Sequence, residues 1–177
     1  MKDAAGVRNV AEVVKHFSLD DLLIVVSAMG KTTNALEEVT WAYADARSTE
    51  ALVDAIETTH TTVLREVAPD DAVALLAMED QFHALRALLK RPPSKDVDRH
   101  YDQIVSLGEV WSTMIVSAHL NAAGIGNHWV DAREVVRTDA SYRAAKVDWE
   151  TSAQQAAGLM EGPKRPFRIL TQGFIGR

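Results

Sequence analysis

Five consecutive apolar residues, Leu22-Leu23-Ile24-Val25-Val26, are the strongest constraint on how this chain can fold. Successive residues of a strand point to opposite faces, so a strand that is apolar at every position calls for cover on both sides. That is the pattern of a parallel sheet between helical layers, and it sets the expectation of an α/β fold. The run ends in Ser27-Ala28-Met29-Gly30-Lys31-Thr32-Thr33-Asn34, and a helical pattern opens at Ala35-Leu36. Junctions of this kind, at the carboxyl end of a buried strand, are where open α/β sheets bind ligands and where helix starts bind anions.

Gly30-Lys31-Thr32 supplies the last three positions of a nucleotide-binding P-loop. That loop also needs a glycine five residues before Gly30, and the position is Val25, inside the strand. The phosphate-cradle reading therefore falls. Two readings remain: an ordinary strand-to-helix turn with Thr33 or Asn34 as N-cap, or a polar loop whose hydroxyls hydrogen-bond a small carboxylate or amine.

Apolar periodicity outlines the rest. Val7, Val10, Ala11, Val13 and Val14 predict an opening amphipathic helix, and Ser18 to Asp21 a turn. Three apolar stripes follow at helical spacing: Leu36 to Ala46, Leu52 to Val67 before Pro69, and Val73 to Leu89 before Pro92-Pro93. A fourth helix is expected from about Val97 to Ala123, with Gly124 as its C-terminal cap. Beyond it we expect a short strand at Asn127–Val130, an extended piece at Val135–Arg137, a helix from Trp149 to Met160 and a turn at Gly162-Pro163. A strand over Phe167–Leu170 and a glycine-punctuated loop over Thr171–Gly176 close the pattern. Helix and strand alternate at both ends around a helical block, which is α/β with the helices gathered in the middle.

The 177 residues suffice for one domain with a real core. A net charge of -6 without a Lys/Arg cluster argues against a nucleic-acid surface. The absence of cysteine excludes thiolate chemistry and disulfides. No apolar run is long enough to cross a bilayer, and Met1 to Gly6 holds no signal core, so a cytoplasmic location is expected. His16, His60, His83, His100, His119 and His128 lack metal-ligand spacing, and no hydrolase triad is evident. Asp20-Asp21 and Asp70-Asp71 look like charges at helix starts.

Three groups are candidates for chemistry. The first is Ser27, Thr32, Thr33 and Asn34 at the junction. The second is Ser106-Leu107-Gly108-Glu109, where a glycine and a glutamate interrupt an apolar helical stretch. A mid-helix glycine costs about 1 kcal/mol relative to alanine and often marks close approach of another group. Glu109 is then either a binder of a substrate ammonium or a surface carboxylate beside a packing glycine. The third group, Asp131, Arg133, Arg137, Thr138 and Asp139, is either a site or a salt-bridged loop.

Taken in order, these segments resemble aspartate kinase, of the amino-acid kinase fold. Val25 to Asn34 looks like that family's aspartate-binding loop, Ser106-Leu107-Gly108-Glu109 with Ser112 like its serine-glycine-glutamate helix, and Thr171 to Gly176 like the strand and turn leading towards its nucleotide site. Asp131-Ala132-Arg133, Arg137-Thr138-Asp139 and Arg8-Asn9-Val10-Ala11 add support. The resemblance implies a mainly parallel sheet covered by helices. It also implies phosphoryl transfer from ATP, with magnesium, to the side-chain carboxylate of L-aspartate, the first step towards lysine, threonine and methionine. Ser27 and Thr33 would contact aspartate, and Glu109 its amino group. Lys31 does not match the family's catalytic lysine.

The family's opening lysine-phenylalanine-glycine-glycine strand has no counterpart before Arg8, and its later threonine-leucine-glycine-arginine and glycine-serine-aspartate segments have none before Arg177. The resemblance therefore implies that residues 1–177 form a partial, incomplete amino-acid kinase domain, the aspartate-binding lobe. It would carry no catalytic residue, lack most of the nucleotide site, be inactive alone and form a homo-oligomer. The alternative is a non-catalytic module that dimerises or binds a partner.

Overall fold

A computed structural model of the chain describes residues 1–160 and 165–177. It opens with helix α1 (Ala4–His16), capped by the Asp3 carboxylate, which accepts from the Gly6 N–H at 2.9 Å. Strand β1 (Leu22–Val26) follows, then a helical block: α2 (Thr32–Ala44), α3 (Glu50–Val67), α4 (Ala72–Leu89), α5 (Val97–Val105) and α6 (Leu107–Ala122). The last part alternates: β2 (His128–Val130), α7 (Ala132–Val135), α8 (Trp149–Met160) and β3 (Arg168–Gln172). The α/β class and the central helical block are as the sequence predicts, and α8 keeps its expected bounds.

The three strands run parallel in the order β1-β3-β2, with Leu22 opposite Arg168 and His128 opposite Ile169. α6 is the central pillar and touches all three strands and each of α1 to α5. It is apolar almost all round, as a helix buried on most sides must be, and Trp111, Ile115 and Leu120 are sealed from solvent. On the sheet face towards α6, Leu22, Ile24, Val26, Trp129 and Leu170 join the main core. On the other face Val130, Phe167 and Ile169 form a small second cluster with Val135 of α7 and Leu159 of α8.

Five expectations need correction. The closing strand, expected over Phe167–Leu170 with a loop from Thr171, is β3 over Arg168–Gln172, so Thr171 and Gln172 pair with Val25 and Val26 instead of opening the loop. β1 is apolar on both faces but covered on one only: Leu23 and Val25 are 66% and 56% exposed. The reason is topological, since β1 lies at the sheet edge and the second cluster is built over β2 and β3. The helix expected from Val97 to Ala123 is two, divided by a turn at Ser106. The hydrogen bonds from Ser106 N to Asp102 and from Val110 N to Ser106 are long, at 3.3 and 3.4 Å. Val135 belongs to α7, and only Val136 onward is extended. Asp20-Asp21 precede a strand rather than a helix; Asp21 accepts instead from the Phe167 N–H at 3.0 Å. By contrast Asp71 does cap α4, bonding Ala74 N at 2.9 Å, and Gly124 follows α6 with φ +75°, as a C-terminal cap requires. The turn expected at Gly162-Pro163 lies outside the described residues.

Candidate functional site

β1 delivers its loop to the first turn of α6. A Cβ placed on Gly108 would lie 3.1 Å from Thr32 Cγ2, 3.2 Å from Ala28 Cβ and 3.3 Å from Leu36 Cδ1. A Cβ here would press all three neighbours back by a few tenths of an ångström, so glycine lets the loop and the start of α2 come close without strain. Four residues on, and so on the same face of the helix, the buried Ser112 hydroxyl donates to the Ser27 carbonyl at 2.8 Å. The Gly30 N–H donates to the Met1 carbonyl at 2.9 Å, which ties the loop to the start of the chain.

The turn at Ser106 changes the standing of Glu109. Instead of lying in mid-helix, it sits in the first turn of α6, where the helix dipole favours a carboxylate. It is 8% exposed. Burial pushes its carboxyl above the ordinary range, while its own N–H and that of Ala28 pull back without cancelling the rise. Among the described residues no salt bridge reaches it. A buried carboxylate of this kind is expensive unless paired.

The predicted residues therefore gather on one junction. Ser27 is exposed just past the end of β1, its backbone held by Ser112. Thr33 is half-buried in the first turn of α2. Neither Thr33 nor Asn34 is the N-cap expected from the sequence. The N-cap is Lys31, two residues before Thr33, and its side chain, which has no acceptor, makes no cap bond; the Thr32 hydroxyl turns back to the Met29 carbonyl at 2.6 Å.

The third group is local scaffolding. Asp131 caps α7 and pairs with Arg133 at 2.5 Å. Burial alone would raise Asp131, but the hydrogen bonds and charge of Arg133 hold it below the ordinary carboxylate range. Asp139 accepts from the N–H groups of Ser141 and Lys146.

Sequence reasoning missed a buried polar hub one turn further along α6. Thr113 Oγ1 receives Trp129 Nε1 at 2.9 Å and Gln172 Nε2 at 2.7 Å, and Gln172 Oε1 accepts from Ala132 N at 2.7 Å. This ties the carboxyl ends of β2 and β3 and the start of α7 to the helix that carries Glu109. The available signal was Gln172, a polar residue at the end of an apolar strand. Among the described residues no group of three or more His, Cys, Asp or Glu could hold a metal ion, and no helix is long and apolar enough to cross a membrane.

Residues 1–177 match the amino acid kinase family along their whole length. The chain is 33% identical to bifunctional aspartokinase/homoserine dehydrogenase 2 of Escherichia coli (strain K12), over 95% of this chain and 20% of that protein. It is 32% identical to the chloroplastic aspartokinase 1 of Arabidopsis thaliana, over 75% of this chain and 24% of that one. E. coli aspartokinase III in complex with aspartate and ADP (R-state) superposes with a TM-score of 0.85 at 25% identity, over 98% of this chain and 38% of that chain. The same enzyme in complex with lysine and aspartate (T-state) gives a TM-score of 0.74 at 27% identity, over 87% of this chain and 34% of that chain. The chain belongs to the amino acid kinase family. Within it, the likeness is to the aspartokinases, and the chain spans a fifth to a quarter of the length of these two curated relatives.

Proposed function

We propose that this chain is the aspartate-binding part of an aspartokinase, the enzyme that moves the γ-phosphoryl group of ATP to the side-chain carboxylate of L-aspartate. The observation that carries the reading is Glu109: a buried carboxylate without a cationic partner among the described residues, set against a polar loop at the end of a strand. The α-ammonium of aspartate is a natural counter-charge for it, and ion pairing would offset the burial. Ser27 and Thr33 offer hydroxyls for the substrate's carboxylates. Phosphoryl transfer depends chiefly on positioning and on cations around the transferring group. The site built here supplies an anion and hydroxyls, so the proposed role is to hold aspartate, with no turnover by this chain alone. Magnesium is usually held by phosphates and one or two carboxylates; the described residues form no metal cluster that would hold it by themselves.

The same reading puts the chain in the cytoplasm, at the entry to lysine, threonine and methionine synthesis. A homo-oligomer is supported by the uncovered Leu23 and Val25 face.

Calorimetric titration of the purified chain with L-aspartate and with succinate tests the reading. Succinate keeps both carboxylates and lacks the ammonium. We expect aspartate to bind more tightly, and Glu109→Gln to remove that preference while sparing the weak succinate binding. Equal affinity for the two ligands in the unaltered chain would overturn Glu109 as the ammonium partner. Robust ATP-dependent aspartyl phosphate formation by the chain alone would overturn the claim of no turnover.

A further inference from the structure

We propose that His60 is a positioning residue for the loop that carries Ser27 and Thr33, acting through the Thr32 hydroxyl; the inference rests on the reading of that loop as the aspartate site. His60 projects from α3 and is buried among apolar neighbours. Its ring meets Trp111 edge-on at 5.3 Å, and Trp111 stacks on Phe82 at 4.2 Å. Aromatic packing thus fixes the ring, and the position of its two nitrogens follows.

Those nitrogens have distinct tasks. Nδ1 lies 2.8 Å from the Ile56 carbonyl, which can only accept, so Nδ1 carries the ring proton. Burial holds the imidazole below its ordinary pKa, with the Ile56 carbonyl offsetting part of the effect. In the neutral ring Nε2 presents a lone pair, 3.3 Å from Thr32 Oγ1. The same hydroxyl lies 2.6 Å from the Met29 carbonyl. One hydroxyl proton therefore serves two acceptors, one in the loop and one in α3. The Thr32 methyl, meanwhile, fills the space over Gly108.

Thr32 is thus gripped from both sides: by α6 through its methyl and by α3 through its hydroxyl. Thr33 is the next residue, and Ala28, whose N–H supports the Glu109 carboxylate, packs over the same glycine. Thr32 is the polar link between His60 and the loop; the contact with Trp111 of α6 is apolar and is kept in large part by a leucine at position 60. An apolar side chain would serve α3 equally well for packing; the imidazole adds an acceptor facing the loop.

The test pairs peptide-resolved amide hydrogen exchange with aspartate titration, for His60→Leu, His60→Gln, Thr32→Val and the double variant His60→Leu/Thr32→Val. We expect exchange over residues 28–34 to rise about tenfold in His60→Leu and in Thr32→Val, with α4 and β2 unchanged. Aspartate affinity should weaken by about the same factor, and the double variant should be no worse than either single. His60→Gln, which keeps an acceptor, should recover most of the loss. A lowered melting temperature with unchanged loop exchange and affinity would make His60 a packing residue and overturn the proposal, as would single effects that multiply in the double. If His60→Leu does not fold, His60→Phe, which keeps an aromatic ring and lacks the acceptor, takes its place; Thr32→Val serves only in the comparison with the double variant, because it also removes the bond to the Met29 carbonyl. Failure of the unaltered chain to bind aspartate would sink the site reading, while the exchange measurement still decides the His60 link.

Discussion

The Ser112 hydroxyl donates to the Ser27 carbonyl across 2.8 Å, joining residues 85 apart in the chain. The bond holds the backbone against α6 at the point where β1 stops. Gly108 one turn earlier and Thr113 one residue later extend the same hold in both directions. A single buried helix thus carries the proposed ammonium partner and also anchors the loop opposite it.

Gly108 is the most restrictive position in that arrangement. Alanine there would gain about 1 kcal/mol of helix propensity but place its Cβ 3.1–3.3 Å from three neighbours, so the two effects nearly cancel. Gly108→Val is the informative change. Its branches have nowhere to go, and overpacking should cost about 1–3 kcal/mol. At about 2–4 °C per kcal/mol for a chain of this size, thermal unfolding should show a drop of several degrees, together with loss of aspartate binding. An unchanged melting temperature would mean that the loop yields freely.

Glu109 opposes stability in the service of binding. Its folded pKa lies above its unfolded value because of burial. Its contribution is therefore fully present below the unfolded carboxylate pKa and is lost as pH rises through the folded one. Glu109→Gln should melt higher than the unaltered chain at pH 7, by a few degrees, and the two should converge in acid. A variant that melts lower at pH 7 would show that the carboxylate is structurally required.

His60 has the opposite sign. Its folded pKa is depressed, so the neutral ring's contribution is complete above the unfolded value of about 6.5 and is lost as pH falls through it towards the folded pKa. Scans of melting temperature between about pH 7.5 and 5 should fall for the unaltered chain and be flatter for His60→Gln. Parallel curves would remove His60 from the acid response.

Leu23 and Val25 stand on the uncovered sheet face. Replacing both with threonine keeps strand propensity and should leave stability within about 0.5 kcal/mol. Sedimentation should show less self-association. If the distribution of species is unchanged, the apolar face is not what brings copies together.

How much of this was legible depended on the range of the interactions involved. The ends of α3 and α4 were plain because Pro69 and Pro92-Pro93 act locally. β1 was plain as a strand, but its half-covered state was not, because cover is decided by which strand becomes the edge. The loop and Glu109 could be named from residue type and order. That Glu109 sits in a first turn could not, since the break at Ser106 involves no proline and Ser106 keeps helical dihedrals, φ -59° and ψ -21°. Thr113 and His60 were hidden for a related reason. Each lies on the buried face of a helix, and what gives each a polar task is a partner from another element: Gln172 from β3 for Thr113, and Thr32 from α2 for His60.

The strand order β1-β3-β2 has a consequence for the timing of synthesis. Among the described residues β1 and β2 each bond only to β3 within the sheet, and β3 follows α1 to α8 in the chain. A ribosome has delivered α1 to α8 before either earlier strand can find this neighbour. Until Arg168 to Gln172 emerge, the nascent chain is a bundle with two unpaired strands, one of them strongly apolar and open to mispairing. The arrival of Arg168 to Gln172 thus turns a helical bundle with two loose strands into a parallel sheet, and the interval before it is when Leu22 to Val26 lie most open to mispairing.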